Sequence, residues 1–337
     1  MILEKNRHVI VLLALVLGFA VCGLSCGVRD RKKTAGPVSQ KDLILGFSQI
    51  GAESAWRMCN TRSVQEAATA SGIQLLFANA EQKQENQIKA IRSFIAYQVD
   101  VIAFVPIVAD GWDNVLLEAK EAGIPVLVTD RKITTADESL YAGFIGTDSI
   151  REGREAGLFL LKKFRSRLAA RSGEPITVVE LSGTEGSSAA LGRAKGFREI
   201  MDGHPEFEII ESVSGDFLRS KGYEIMQNIL SRNRKIDVVF SHNDGMTLGI
   251  IEAMEEKGIK PGKNIVIVTI DAEQAALNAL REGKVNCVIE CNPKTGPAIM
   301  DLAKKLAAGE TIPRLLHVEE QVFTEGDDLS SVGPRGY

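Results

Sequence analysis

Apolar and polar positions along this chain fall into two alternating kinds of run. Short, near-continuous apolar stretches, LILGFSQ (43–49), IQLLFAN (73–79), DVIAFVP (100–106) and PVLVTD (125–130), read as strands covered on both faces, since a half-solvated strand would alternate instead. Longer amphipathic stretches lie between them. In QENQIKAIRSFIAYQ (84–98), Ile88, Ile91 and Ile95 recur at helical spacing on one face, and Gly72 and Gly123 mark helix ends just ahead of strands. Repeated strand–helix units predict a parallel sheet with helices on both sides. After YAGFIGTD (141–148) the rhythm resumes, with strands predicted over 176–183, 207–216, 236–244, 264–272, 285–291 and 315–323. Two sets of similar length predict an α/β fold of two Rossmann-like lobes with parallel sheets. The last helices and strands are expected to return and complete each sheet.

The N-terminus is different in kind. MILEKNRH carries Lys5 and Arg7, and an apolar stretch, VIVLLALVLGFAVCGLSC (9–26), follows. A charged start and a short apolar core describe an export signal. The run is borderline for a membrane anchor helix, which needs about 20 apolar residues. GLSC, ending at Cys26, resembles a bacterial lipoprotein signal, in which the cysteine is lipidated and becomes the mature N-terminus. Gly23 stands where leucine is usual, and simple cleavage is the alternative. Residues 27–41, polar with Gly and Pro, read as a tether.

Composition narrows the field. The 337 residues are 45% hydrophobic, which suits two lobes of ordinary size. With 25% charged residues and a net charge of -4, no basic excess argues for nucleic acid. Of five cysteines, Cys22 and Cys26 fall in the signal region. Cys287 and Cys291 are four apart in a predicted strand, about 13 Å at the usual rise, too far to bond each other. A bridge from Cys59 to one of them and three buried free thiols are both open. No CxxC pair is present, and His8, His204, His242 and His317 show no metal-ligand spacing, so neither a metal nor a cofactor is expected.

Ligands of open parallel sheets sit beyond the carboxyl ends of the strands. Collecting the residues at those ends gives Glu53, Trp56 and Arg57 after the first strand and Asp130 and Arg131 after the fourth. Beyond 141–148 it adds Arg193 on the helix after a Gly-rich turn, then Asn243 with Asp244, then Asp271. Carboxylates and amides accept from vicinal hydroxyls, arginine forks donate to them, and an indole packs on the C–H face of a sugar ring. The inventory therefore suits a sugar. Taken singly, Asp271 also fits a helix cap, Arg193 a solvated helix charge and Trp56 a core position. Five strand ends bearing such groups together favour a site.

Catalytic readings fare worse. GTEGSSAALG lacks the Lys-Ser/Thr ending of a phosphate loop, and counting from Gly186 puts Ala190 where GxSxG needs its last glycine. Ser241, His242 and Asp244 look like a triad written in a string, but neighbours on a strand point to opposite faces and cannot form one relay. The chain is not expected to be an enzyme.

Several long stretches carry a family resemblance: GFSQIGAESAWR (46–57), EQKQENQIKAIRSFIAYQVDVIAFVPIVADGW (81–112), PVLVTDRKI (125–133), SGDFLRSKG (214–222), HNDGMTLGIIEAM (242–254) and KPGKNIVIVTIDA (260–272). Over residues 42–337 the chain resembles the periplasmic sugar-binding proteins of bacterial ABC importers, of the ribose-binding type, and especially their galactofuranose-binding branch. The resemblance implies two lobes joined by a three-strand hinge, the type I periplasmic binding protein fold, closing over one monosaccharide that is passed to a membrane permease. It implies sugar contacts from Glu53, Ser54, Ala55, Trp56, Arg57, Asp130 and Arg131 in the first lobe. From the second lobe and hinge it implies contacts by Arg193, Asn243 and Asp271. The pattern departs at Ala55, which replaces a glycine, at IDAEQ, which replaces IDGVP, and at LGR before Arg193, where the family has IDR. The expected partition is 42–147 plus 272–311 for the first lobe and 148–271 plus 312–330 for the second. A periplasmic, lipid-anchored monomer is the expected setting. A repressor of the same fold would need a helix-turn-helix where the export signal stands, whereas a sugar-sensing receptor would share these lobes.

Overall fold

The computed structural model describes residues 43–170 and 174–337; the predicted signal, tether and Cys26 lie outside them. Five parallel strands make most of the first sheet: β1 (Ile44–Gln49), β2 (Gln74–Asn79), β3 (Val101–Phe104), β4 (Val126–Asp130) and β5 (Gly143–Gly146). Helices α1 (Ala55–Ala70), α2 (Gln84–Tyr97) and α3 (Asp113–Glu121) connect the first four. Double-sided burial is visible within one strand. Val101 and Ala103 of β3 pack into one apolar cluster with Leu45 and Phe47, while Ile102 and Phe104 pack into another with Trp112 and Leu116. This is why the sequence runs apolar without alternating.

The second sheet repeats the plan with α4 (Ser149–Lys163), α5 (Arg165–Ala170), β6 (Ile176–Ser182), α6 (Ser188–Met201), β7 (Phe207–Ser214), α7 (Arg219–Ser231), β8 (Val238–Ser241), α8 (Asp244–Glu256) and β9 (Val266–Asp271). Here too successive residues diverge: Val238 and Phe240 enter one cluster, Val239 another. Predicted strands shorten at their carboxyl ends because caps begin there. The 236–244 run stops at Ser241, and the Asn243 side chain accepts from Met246 N–H to start α8.

Helices α4 and α6 lie unusually close. A Cβ added at Gly196 would sit 1.9 Å from the Ile150 carbonyl oxygen, so only glycine permits this crossing. The approach brings Arg193 of α6 against Glu152 of α4, with Nε–Oε2 at 2.6 Å.

The C-terminal part divides differently from the expected partition. Helix α9 (Gln274–Arg281) packs in the second sheet's core through Ala276, Leu277 and Leu280, and β10 (Cys287–Glu290) pairs with β9. Helix α10 (Gly296–Ala307) returns to the first lobe, where Ile299 and Met300 join the cluster around Phe47. The single strand predicted over 315–323 is two. Strand β11 (Leu315–His317) pairs parallel with β5, and β12 (Val322–Thr324) pairs antiparallel with β10. The polar run Glu319–Glu320–Gln321 between them is the chain passing from sheet to sheet. The final orders are β11-β5-β4-β3-β1-β2 and β12-β10-β9-β8-β6-β7. The chain thus crosses three times, after β5, after β10 and between β11 and β12, which gives two lobes and a threefold connection.

Candidate functional site

Nine of the ten residues expected at the site line one cavity between the two sheets. Ala55 is the exception: it is the first residue of α1, half-buried, and does not line the cavity. Three lining residues were not anticipated, Ala189, Phe217 and Cys291.

The first wall is set by the start of α1. Ser54 accepts from Arg57 N–H at 3.1 Å and caps the helix, so its hydroxyl has structural work as well as a place on the wall. The cap fixes the first turn, and Arg57 then bridges two carboxylates. Its Nε donates to Glu53 Oε1 at 2.9 Å and its Nη2 meets Asp130 Oδ2 at 2.8 Å. Burial disfavours the Arg57 charge, but Asp130 and Glu53 more than compensate and raise its pKa. Burial also works against ionisation of Glu53, yet Arg57 and Arg131 outweigh it and hold the carboxyl below its ordinary range. Glu53 Oε2 remains buried without a partner. A buried carboxylate oxygen with no donor is costly, and a ligand hydroxyl is a suitable donor.

Arg131 is buried, donates Nη1–H to the Ile107 carbonyl at 3.2 Å, and lies 3.9 Å from Glu53 Oε1. Burial, with Arg57 second, lowers its pKa to about 10, so it stays charged at neutral pH. Asp130 holds φ at 62°, a left-handed conformation rare for a non-glycine residue. Strain of this kind gathers at binding sites, where the surroundings over-determine the backbone.

The second wall centres on Arg193. Its Nε donates to Glu152, its Nη1 to the His242 carbonyl at 2.5 Å, and its Nη2 lies 3.8 Å from Asp271 Oδ1. Asp271, at φ 130°, closes β9. Burial, despite the nearby Arg193, raises its pKa well above the usual carboxylate range, with Asp244 and Glu273 adding to the effect. A protonated Asp271 both donates and accepts. The Phe217 ring stands between two guanidiniums, 5.2 Å from Arg131 and 5.7 Å from Arg193. Gly183 makes room for that ring, since a Cβ there would lie 1.8 Å from Phe217 Cζ. Asn243 donates to the Phe217 carbonyl at 3.2 Å and fixes the turn that carries it.

Trp56 is less free than expected. The indole is 5% exposed, packs with the second lobe's core, and donates Nε1–H to the Cys291 carbonyl at 2.5 Å. It offers an edge of the cavity wall, stacked under Arg57 at 4.6 Å. Cys59, Cys287 and Cys291 are all free and buried, which removes the bridge from Cys59.

The string Ser241–His242–Asp244 forms no relay. His242 Nε2 pairs with Glu180 at 3.1 Å, Ser241 donates to the Asn243 carbonyl, and Asp244 accepts from Thr269 and from the Glu273 N–H.

Two sheets, three crossings and a polar cleft walled from both lobes define a class of two-lobed ligand receptors. Residues 45–311 match the family described as a periplasmic binding protein domain, and the chain belongs to that family. It is 43% identical over 302 residues to the galactofuranose-binding protein YtfQ of Escherichia coli (strain K12), spanning 88% of this chain and 93% of that one. Among solved structures it resembles a Mycobacterium smegmatis protein in complex with β-D-fucofuranose, with 48% identity, TM-score 0.81, and 84% and 91% of the two chains covered. It also resembles the periplasmic binding protein component of the arabinose ABC transporter from Shewanella sp. ANA-3, bound to α- and β-L-arabinofuranose. There the identity is 40%, the TM-score 0.79, and the coverage 84% and 92%.

Proposed function

We propose that this chain binds one monosaccharide, a furanose such as galactofuranose, between its lobes and delivers it to the membrane permease of an ABC importer. The observation that carries this is the cavity itself. Arg57 and Arg131 face it from one lobe and Arg193 from the other, each pinned by carboxylates or carbonyls, and Glu53 Oε2 is left without a donor. Vicinal hydroxyls can donate to that oxygen and accept from the guanidiniums. The relatives bound to fucofuranose and arabinofuranose support a furanose over a larger ligand.

No bond is broken in this function. The sugar meets both walls only when the lobes are together, so it stabilises closure by differential affinity, and the closed form is what a permease reads. Hydrogen bonds between lobes assist. Ala109 N–H donates to the Gly186 carbonyl at 2.9 Å, and Lys132 N–H donates to Ser188 Oγ at 2.7 Å. The relatives being binding proteins supports a non-enzymatic role. The family supports a periplasmic setting; the GLSC run ending at Cys26 is what supports a lipid anchor there.

Titration calorimetry of residues 42–337 with galactofuranose, arabinofuranose, fucofuranose and their pyranose isomers tests the reading. Saturable heat with a furanose is the expected result; none with any monosaccharide refutes it. Loss of radiolabelled palmitate in Cys26→Ala tests the anchor.

A further inference from the structure

The three crossings meet at one buried cluster that touches the cavity wall through Cys291 and extends behind it. Glu152 stands in the first turn of α4, just past the first crossing; Cys291 opens the second; Glu320 lies within the third. One carboxylate oxygen from each glutamate and the Cys291 Sγ all fall within 4.8 Å of one another. Glu152 is fully buried, and its Oε2 is taken by Arg193. Its Oε1 has no partner, and neither does the buried Oε1 of Glu320. Cys291 Sγ reaches only Thr147 Oγ1, at 3.8 Å.

Two desolvated carboxylates this close cannot both stay ionised; something positive must lie between them. Either a cation or a proton would serve. Arg193 already supplies a guanidinium to Glu152, and Arg151 adds a second positive charge nearby, which disfavours a further cation. We infer that Glu320 and Glu152 share one proton, which pins the first and third crossings together and holds Glu152 against Arg193. The hinge thus contains a proton site one residue removed from the cleft. Its effect on sugar affinity rests on the reading of Arg193 as a sugar contact; the proton site itself does not.

The electrostatics agree. Burial first, and Glu152 second, push the Glu320 carboxyl up to about 10, with Arg193 and Arg151 opposing. Burial also raises the Cys291 thiol well above its ordinary value, with Glu152, Asp271 and Glu320 adding and Arg193 opposing, so the thiol stays neutral. Glu320 therefore keeps a proton that the unfolded chain releases near the ordinary 4.5. The stabilisation is complete below that value and drains away as pH rises toward about 10, by roughly tenfold in the folding equilibrium per pH unit.

Glu320→Gln keeps a donor toward Glu152 but cannot titrate. Urea unfolding of wild type and variant between about pH 5.5 and 8.5 should show the wild type losing about tenfold per unit relative to the variant. Parallel pH profiles would overturn the proposal. Should that variant not fold, infrared spectra with carboxyl-labelled glutamate decide: a protonated glutamate band at neutral pH that Glu320→Asp removes supports the proposal, and a spectrum unchanged by Glu320→Asp, or without such a band, overturns it. A rise in melting temperature with Zn²⁺ that Cys291→Ser abolishes would also overturn it, in favour of a metal. In a furanose titration, wild-type affinity should weaken as pH rises from 8 toward 10 while the variant's stays flat. If no sugar binds, the functional reading fails, but the unfolding comparison still judges the proton.

Discussion

The Trp56 backbone N–H, in the first turn of α1, donates to Glu273 Oε1 at 3.1 Å, so a helix of the first lobe is capped by a side chain of the second. The bond is buried between the lobes and exists only while they are together. Glu273→Ala should therefore act on dissociation more than on association. A charge-assisted bond of about 1.5–3 kcal/mol corresponds to roughly tenfold or more in off-rate. Stopped-flow release of a furanose measures it, and an unchanged off-rate would mean that the cap is re-formed by water at no cost.

Ser188 gives a weaker version of the same test. Its hydroxyl accepts from Lys132 N–H across the cleft, while Ser187 holds the N-cap of α6. Ser188→Ala should spare the helix and cost about 1 kcal/mol of closure, visible as a several-fold faster release.

Arg131 separates charge from geometry. Arg131→Ala should weaken sugar binding by at least ~1.5 kcal/mol, about tenfold, by calorimetry. Arg131→Lys should recover little, because a point charge cannot reproduce a fork held over the Phe217 face and against the Ile107 carbonyl.

Gly196→Ala places a methyl group against the Ile150 carbonyl and must push α6 from α4. Overpacking of this kind costs about 1–3 kcal/mol. Because α6 carries Arg193, denaturant stability and sugar affinity should fall together. Affinity surviving intact would show that Glu152 holds Arg193 without the helix contact.

Glu180 governs the acid side of stability. It is a buried residue of β6 and accepts from both Arg198 Nη atoms at 2.9 and 2.6 Å, from Ser212 at 2.6 Å, and pairs with His242. Burial opposes its charge, but these partners prevail and hold its pKa far below the usual range. Its contribution is thus complete above the ordinary carboxylate pKa and is lost as pH falls below that. Glu180→Gln should flatten the acid limb of a stability–pH curve and lower stability by ~3 kcal/mol, the low end for a broken buried pair because Arg198 is partly exposed.

Much of this was legible in the chain. Strands buried on both faces leave apolar runs, and carboxyl ends concentrate polar groups, so Arg57, Asp130, Arg193, Asn243 and Asp271 stood out. Phe217 did not, because its place depends on consecutive left-handed residues, Asp216 at φ 51° and Phe217 at φ 62°, which no residue type there advertises. Cys291 reads either as one end of a bridge from Cys59 or as a buried free thiol, and neither reading puts it on a cavity wall. Ala55 was chosen for its position in the string, and a helix turns each neighbour about 100° away from the last. The break between β11 and β12 was hidden because 315–323 reads as one extended run; which sheet each half joins is decided by neighbours far away in sequence.

That late split has a consequence for the order in which the molecule is built. The first sheet lacks its edge strand until residues 315–317 are made, and the second until 322–324. Synthesis therefore finishes both lobes almost at once, and a chain interrupted shortly before its end leaves two open sheet margins instead of one complete lobe and one broken one.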